Sequence, residues 1–131
     1  MAFENLNHAT VLSFPADEDL TADQWTIVVL DATSGKVRRP NAATDIPLGF
    51  LQNAPKVDEE AVVALIGPVT KVVLGATLAR GVIIGMEYVG AADAGKAIAA
   101  VATMYPVGIL LEGGAEDELV SAMIASVTVK A

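Results

Sequence analysis

Short apolar runs separated by turn residues fill most of the chain. Runs rich in Val, Ile, Leu and Ala occupy residues 26–31, 48–52, 61–66, 70–74, 82–88, 97–103, 107–111 and 119–129. Turn signals recur every 8 to 15 residues, a spacing that suits a sandwich or barrel and leaves little room for crossover helices. One stretch resists this reading. Residues 92–104 are rich in alanine and favour a short helix on propensity alone. Their place in an internal repeat argues instead for a hairpin and a strand.

That repeat decides the architecture. The first copy runs from Leu20 through Gly35-Lys36 and Pro47-Leu-Gly49-Phe-Leu51 to residues 62–66; the second runs from Leu78 through Gly95-Lys96 and Pro106-Val-Gly108-Ile-Leu110 to residues 119–124. The offset between matching positions is 58 to 60 residues. What recurs is punctuation. Glycine before lysine marks a tight hairpin that needs a residue tolerant of positive φ. Proline opens a strand it cannot occupy in the middle, and the glycine two residues later marks a bend or bulge. The expected fold is all-β: a small, β-tulip-like sandwich or barrel made of two degenerate strand-turn-strand repeats, about 20–67 and about 78–125, within a single domain spanning 20–131. Residues 1–19 have no evident counterpart in the second copy and read as an N-terminal arm.

Composition narrows the partners. The chain has 131 residues, enough for one domain to bury a core without staples, and it has no cysteine. The apolar fraction is 53%. The longest charge-free stretch, 97–111, is only 15 residues and contains Pro106, short of the roughly 18 to 20 residues that a membrane-spanning helix needs. The N-terminus has no basic region followed by an apolar segment, so no secretory signal is expected. Apolar surface beyond one small core suggests burial between subunits. Sixteen acidic against eight basic residues give a net charge of −8, which repels phosphate backbones and anionic lipid; neither nucleic acid nor membrane is an expected partner.

A reactive centre is not expected, and neither is a cofactor. His8 is the single histidine, which leaves no Ser-His-acid arrangement and no zinc ligand set. The acidic clusters Asp17-Glu18-Asp19 with Asp23 and Glu116-Asp117-Glu118 lack the spacing and glycine of a calcium loop; both read as solvated connections. The Gly-Lys pairs lack the remaining residues of a phosphate-binding loop, and their lysines lack the flanking residues of a lipoyl or biotinyl carrier. Trp25, Tyr88 and Tyr105 read as core or subunit-interface anchors, with a sugar-stacking platform as the sharper alternative.

These segments resemble a family, the capsid decoration (cement) proteins of tailed bacteriophages. The resemblance is carried by Ala16-Asp-Glu-Asp-Leu20 leading to Val29-Leu-Asp31, by Gly35-Lys36-Val37 and by Ile46-Pro-Leu-Gly-Phe-Leu-Gln-Asn53-Ala-Pro55, echoed at Val107-Gly108-Ile-Leu-Leu-Glu112. It implies a non-enzymatic homotrimer made in the host cytoplasm. Its partners would be itself and the major capsid protein, on the outer surface of the virion. The arm would touch the shell, and Phe3, Asn5, His8 and Phe14 are the candidate capsid contacts, with the two phenylalanines as apolar anchors. A tail or baseplate component, or a carbohydrate-binding β module of a phage particle, is the alternative.

Overall fold

The computed structural model describes residues 10–65 and 69–125. Ten strands are present among them. They are β1 (Val11–Pro15), β2 (Ile27–Leu30), β3 (Val37–Arg38), β4 (Pro47–Leu51), β5 (Glu60–Ala64), β6 (Val69–Val73), β7 (Ile83–Met86), β8 (Ala97–Ala99), β9 (Gly108–Leu110) and β10 (Leu119–Ile124). They form two five-stranded antiparallel sheets, in the orders β1-β5-β4-β2-β3 and β6-β10-β9-β7-β8. The second order is the first with every strand advanced by five. The duplication therefore extends to the whole topology, in an all-β sandwich.

Register confirms the equivalence residue by residue. Leu12 lies opposite Val63 and Phe14 opposite Ala61 in the first sheet; Thr70 lies opposite Ala122 and Val72 opposite Val120 in the second. In each copy one parallel bridge, Ala16 to Val37 and Leu74 to Ala97, ties the two edges of the sheet at one end without closing it into a barrel. Gly49 and Gly108 share one cause. A Cβ at either would overlap the carbonyl oxygen of the neighbouring strand, that of Ala64 or of Met123, so the Pro-x-Gly pattern reflects close approach of two strands. A register shift between Val28 and Val29 is the bulge expected beside it.

One expectation is corrected and another is borne out with a shorter strand. Residues 10–19 are not a free arm: β1 pairs with β5 along its whole length and is the counterpart of β6. The repeats are accordingly longer, about 10–65 and 69–125, with β6 belonging to the second. Residues 92–104 form the expected hairpin and strand, a turn leading into β8, with the strand ending at Ala99 rather than running to 103. The hairpin ladder to β7 satisfies this backbone, and helix propensity worth a few tenths of a kcal/mol per residue does not compete with it. Residue 66 and the end of the run expected over 119–129 fall outside the described residues.

Each copy has its own interior, built from matched positions. Ala16, Leu20, Val28, Val37, Leu51, Ala61 and Val63 form one cluster. Their counterparts Leu74, Ile84, Ala97, Leu110, Val120 and Ala122 lie in the other, and Leu78, the counterpart of Leu20, packs against it partly buried. That second cluster also takes in Ile27, Val29, Phe50 and Ala64, from the opposite face of the first sheet. The outer face of the first copy is thus covered by the second copy, and burial of these residues joins the two halves.

Candidate interaction surfaces

Two clefts lie where the copies meet. The first, of about 240 Å³, is lined by Glu18, Arg38, Arg39, Pro40 and Asn41 from the first copy and by Tyr88, Gly90, Ala91 and Ala94 from the second. Adjacent residues of an extended strand point to opposite sides, so Arg38 and Arg39 serve different acids. Arg38 grips Asp45 through Nη1 at 3.1 Å and Nη2 at 3.2 Å, and its Nε reaches Asp31 at 3.4 Å. Arg39 donates to Asp23 at 2.8 Å, to Glu18 at 2.7 Å and to the Asp19 carbonyl at 2.6 Å. The hydrogen bond to Asp45 raises the pKa of Arg38, and the same bond holds Asp45 below the ordinary carboxylate value. Asp23 does the same for Arg39, with Glu18 contributing.

This arrangement corrects the reading of residues 17–23 as a merely solvated acidic loop. Asp23 is 4% exposed, and a buried carboxylate persists only when paired. Both guanidiniums are paired with acids of the same chain, which neutralise their charge within the fold. Sequence reasoning missed the network because Asp23 and Arg39 are 16 residues apart. The available signal was the adjacent pair Arg38-Arg39, two of only eight basic residues, just downstream of an acidic run.

The Gly-Lys turns are fold punctuation in both copies. Lys36 Nζ reaches Asp58 at 2.8 Å and Lys96 Nζ reaches Asp117 at 2.7 Å. Asp58 and Asp117 occupy equivalent turns with φ of +65° and +70°. Each lysine holds its acid by a hydrogen bond that raises its own pKa, with Asp93 as a second partner for Lys96. A lysine tied down in this way is not offered at a hairpin tip.

The second cleft, about 190 Å³, sets Ile46, Pro47, Leu48 and Gly49 against Tyr105, Pro106, Val107 and Ile124. No charged residue lines it. Ile46 and Tyr105, at equivalent positions, are 65% and 50% exposed. Other large apolar side chains are exposed on both copies, at Val11, Leu12 and Leu30 on the first and at Val69, Leu111 and Leu119 on the second.

In fold the chain is similar to the head fiber gp8.5 N base of bacteriophage phi29. The crystal structure of that protein matches with a TM-score of 0.66 over 94% of this chain and 99% of its own, at 14% sequence identity. At that identity the likeness shows the fold. Neither a family model nor a curated protein matches the chain.

Of the four candidate capsid contacts, Phe3, Asn5 and His8 lie outside the described residues. Phe14 is placed, and not as an arm anchor. It is half-buried in β1 and packs against the first interior cluster, where Val72 stands in the second copy. Trp25 sits at the junction of the copies: its carbonyl accepts from the Val73 amide at 3.0 Å, and Lys71 Nζ lies 5.6 Å from its ring centroid. Its φ of +68° is matched by glycine, Gly81, at the equivalent turn of the second copy.

Proposed function

We propose that this chain is a structural protein of a phage particle, a decoration or cement protein that binds the outer surface of the expanded capsid, stabilises it and performs no catalysis. The observation that carries the proposal is the likeness to a phage head fiber base along almost the full length of both chains. The tethered lysines, the acid-paired arginines and an uncharged second cleft bordered by exposed apolar residues agree with a surface made for contact. Its partners are the major capsid protein and further copies of itself, as a homotrimer. The net charge of −8 keeps it off nucleic acid and anionic membranes.

The mechanism is mass action. A ligand that binds only the mature lattice stabilises that lattice by an amount set by its concentration over its dissociation constant. Several linked copies gain further, because each docked copy holds the others near their sites.

Co-sedimentation with expanded and unexpanded shells tests the proposal. Pelleting with expanded shells alone is the expected result; absence from both pellets would remove the capsid from the proposal. Deleting residues 1–9, which spares β1, is expected to abolish pelleting while the thermal transition stays unchanged. Undiminished pelleting would take Phe3, Asn5 and His8 out of the contact.

A further inference from the structure

The contact between the two copies joins unlike surfaces of like units. The first copy contributes the outer face of its sheet, with Ile27 and Phe50 fully buried. The second contributes one open end: the Gly95 carbonyl accepts from the Ile27 amide at 2.7 Å, and Thr70 Oγ1 accepts from Gln52 Nε2 at 3.0 Å. Such a contact is heterologous, and it uses only one of the two surfaces that each copy carries. An outer face on the second copy and an open end on the first are left over.

Register identifies them. In the second copy the positions of Ile27, Phe50 and Ala64 are taken by Ile83, Ile109 and Met123, which lie side by side in one row across the sheet that continues to Val69. Val69 is 63% exposed, and the other three are half-buried. In the first copy the positions of Gly95 and Thr70 are taken by Gly35, which is exposed, and Leu12, which is 49% exposed.

We infer that the outer face of the second copy is the docking site for the open first-copy end of another molecule of this chain, so that the contact within the chain is repeated between chains. This deepens the self-assembly part of the proposed function and rests on it. One substitution pair speaks for the occupant. Gln52 and Thr70 hydrogen-bond across the internal contact; at the equivalent positions stand Leu111, 41% exposed, and Leu12. Both partners have changed together from polar to apolar, so docking would bury two leucines on each other with no polar atom of that pair left unpaired. The Gly35 carbonyl would meet the Ile83 amide as Gly95 meets Ile27. Pro15 stands at the position of Val73 and has no amide to donate, so the contact between chains carries one backbone hydrogen bond fewer than the contact within.

A heterologous contact has a distinctive test. Two variants of the full chain, Met123→Glu and Leu12→Glu, block the face and the end respectively. Size-exclusion chromatography with light scattering is run over a concentration series, with thermal melts to confirm folding. Val69→Glu, at the exposed end of the row, replaces Met123→Glu if that variant does not fold. Wild type is expected to be an oligomer and each variant a monomer. An equimolar mixture of the two variants is expected to form a heterodimer and nothing larger, since each supplies the surface that the other has lost. Variants that keep the wild-type mass would overturn these faces while leaving self-assembly standing; if they also lost binding to expanded capsids, the face would belong to the capsid protein. Monomeric variants that fail to complement would show a contact of like surfaces. A wild type that stays monomeric throughout would remove the inference and the self-assembly reading together.

Discussion

The two copies follow one chain path and pair their third strands alike, but the first adds ion pairs that the second lacks at the matching positions. In the first, β3 is followed at once by Arg39, and Arg38 and Arg39 clamp Glu18, Asp23, Asp31 and Asp45 around the strand. In the second, the equivalent residues are Ile98 and Ala99 on β8, paired with β7 and carrying no charge. The outer faces differ in the same sense. Phe50 is fully buried, whereas its counterpart Ile109 is half-buried. The topology is therefore set by what the copies share, the interior positions and the turn glycines, while each perimeter is fitted to what covers it.

The comparison breaks most readily at the covered face. Phe50→Ala is expected to cost about 3–5 kcal/mol, as for a large aromatic removed from a packed core. Ile109→Ala is expected to cost about 1 kcal/mol in the monomer, because a half-exposed side chain loses less transfer free energy and leaves no closed cavity. Urea denaturation of both variants, in a dilute wild-type background, measures the gap. Equal costs would mean that the two outer faces are covered alike and that the copies do not differ there.

The paired turn glycines give the next effect. Gly95 has φ +91°, and a Cβ there would lie 2.5 Å from the Ile27 carbonyl oxygen; Gly35 has φ +71° with no atom within 4 Å of the same position. Gly35→Ala is expected to cost about 1–2 kcal/mol, the price of the left-handed conformation alone. Gly95→Ala adds overpacking of roughly 1–3 kcal/mol at the junction of the copies. Thermal melts of the two variants should differ by that added amount; identical melts would mean that the junction yields without cost.

These glycines also mark what was legible in the sequence. Gly35, Gly95, Gly49 and Gly108 stood out because a turn or a close strand contact accepts no other residue, so the requirement is written locally in both copies. β1 was hidden for the opposite reason. Val11-Leu-Ser-Phe-Pro15 and Val69-Thr-Lys-Val-Val73 share only their first residue, because an edge strand constrains few positions, and in β1 every side chain but the half-buried Phe14 is exposed. The Arg39 network was hidden because its acids come from another turn of the chain. The shared apolar cluster was hidden because alternation along a strand tells which residues share a face but not which element covers it.

Arg39 tests the perimeter difference. Arg39→Met removes the guanidinium and leaves Asp23 buried without its partner, which is expected to cost about 3 kcal/mol. Adding Asp23→Leu to that variant removes the stranded charge and should restore most of the loss. Ala99 has no acid to hold, and Ala99→Met on the second copy should stay within about 0.5 kcal/mol of wild type. Urea titrations of the four proteins check this; a double variant no more stable than Arg39→Met would mean that Asp23 is not what Arg39 supports.

The smallest expected effect is a pH dependence confined to the first copy. Asp45 accepts from Arg38 and from the amides of Asn41 and Ala42, and its folded pKa lies below its ordinary value of 3.8, chiefly through the Arg38 hydrogen bond. A carboxyl whose pKa is depressed by folding contributes stability that is fully present above its unfolded value and is lost as the pH falls through the folded one. Between pH 7 and 5 the contribution should be constant, and it should begin to fall near pH 4, by about 1 kcal/mol for this partly buried pair. Asp45→Asn keeps an acceptor oxygen but no charge, so the variant should be less stable than wild type at pH 6, and the gap should narrow as the pH falls below 4. A gap that stays constant down to pH 2.5 would mean that Asp45 acts through its geometry alone. The ionic perimeter of the first copy would then differ from the second in shape and not in charge.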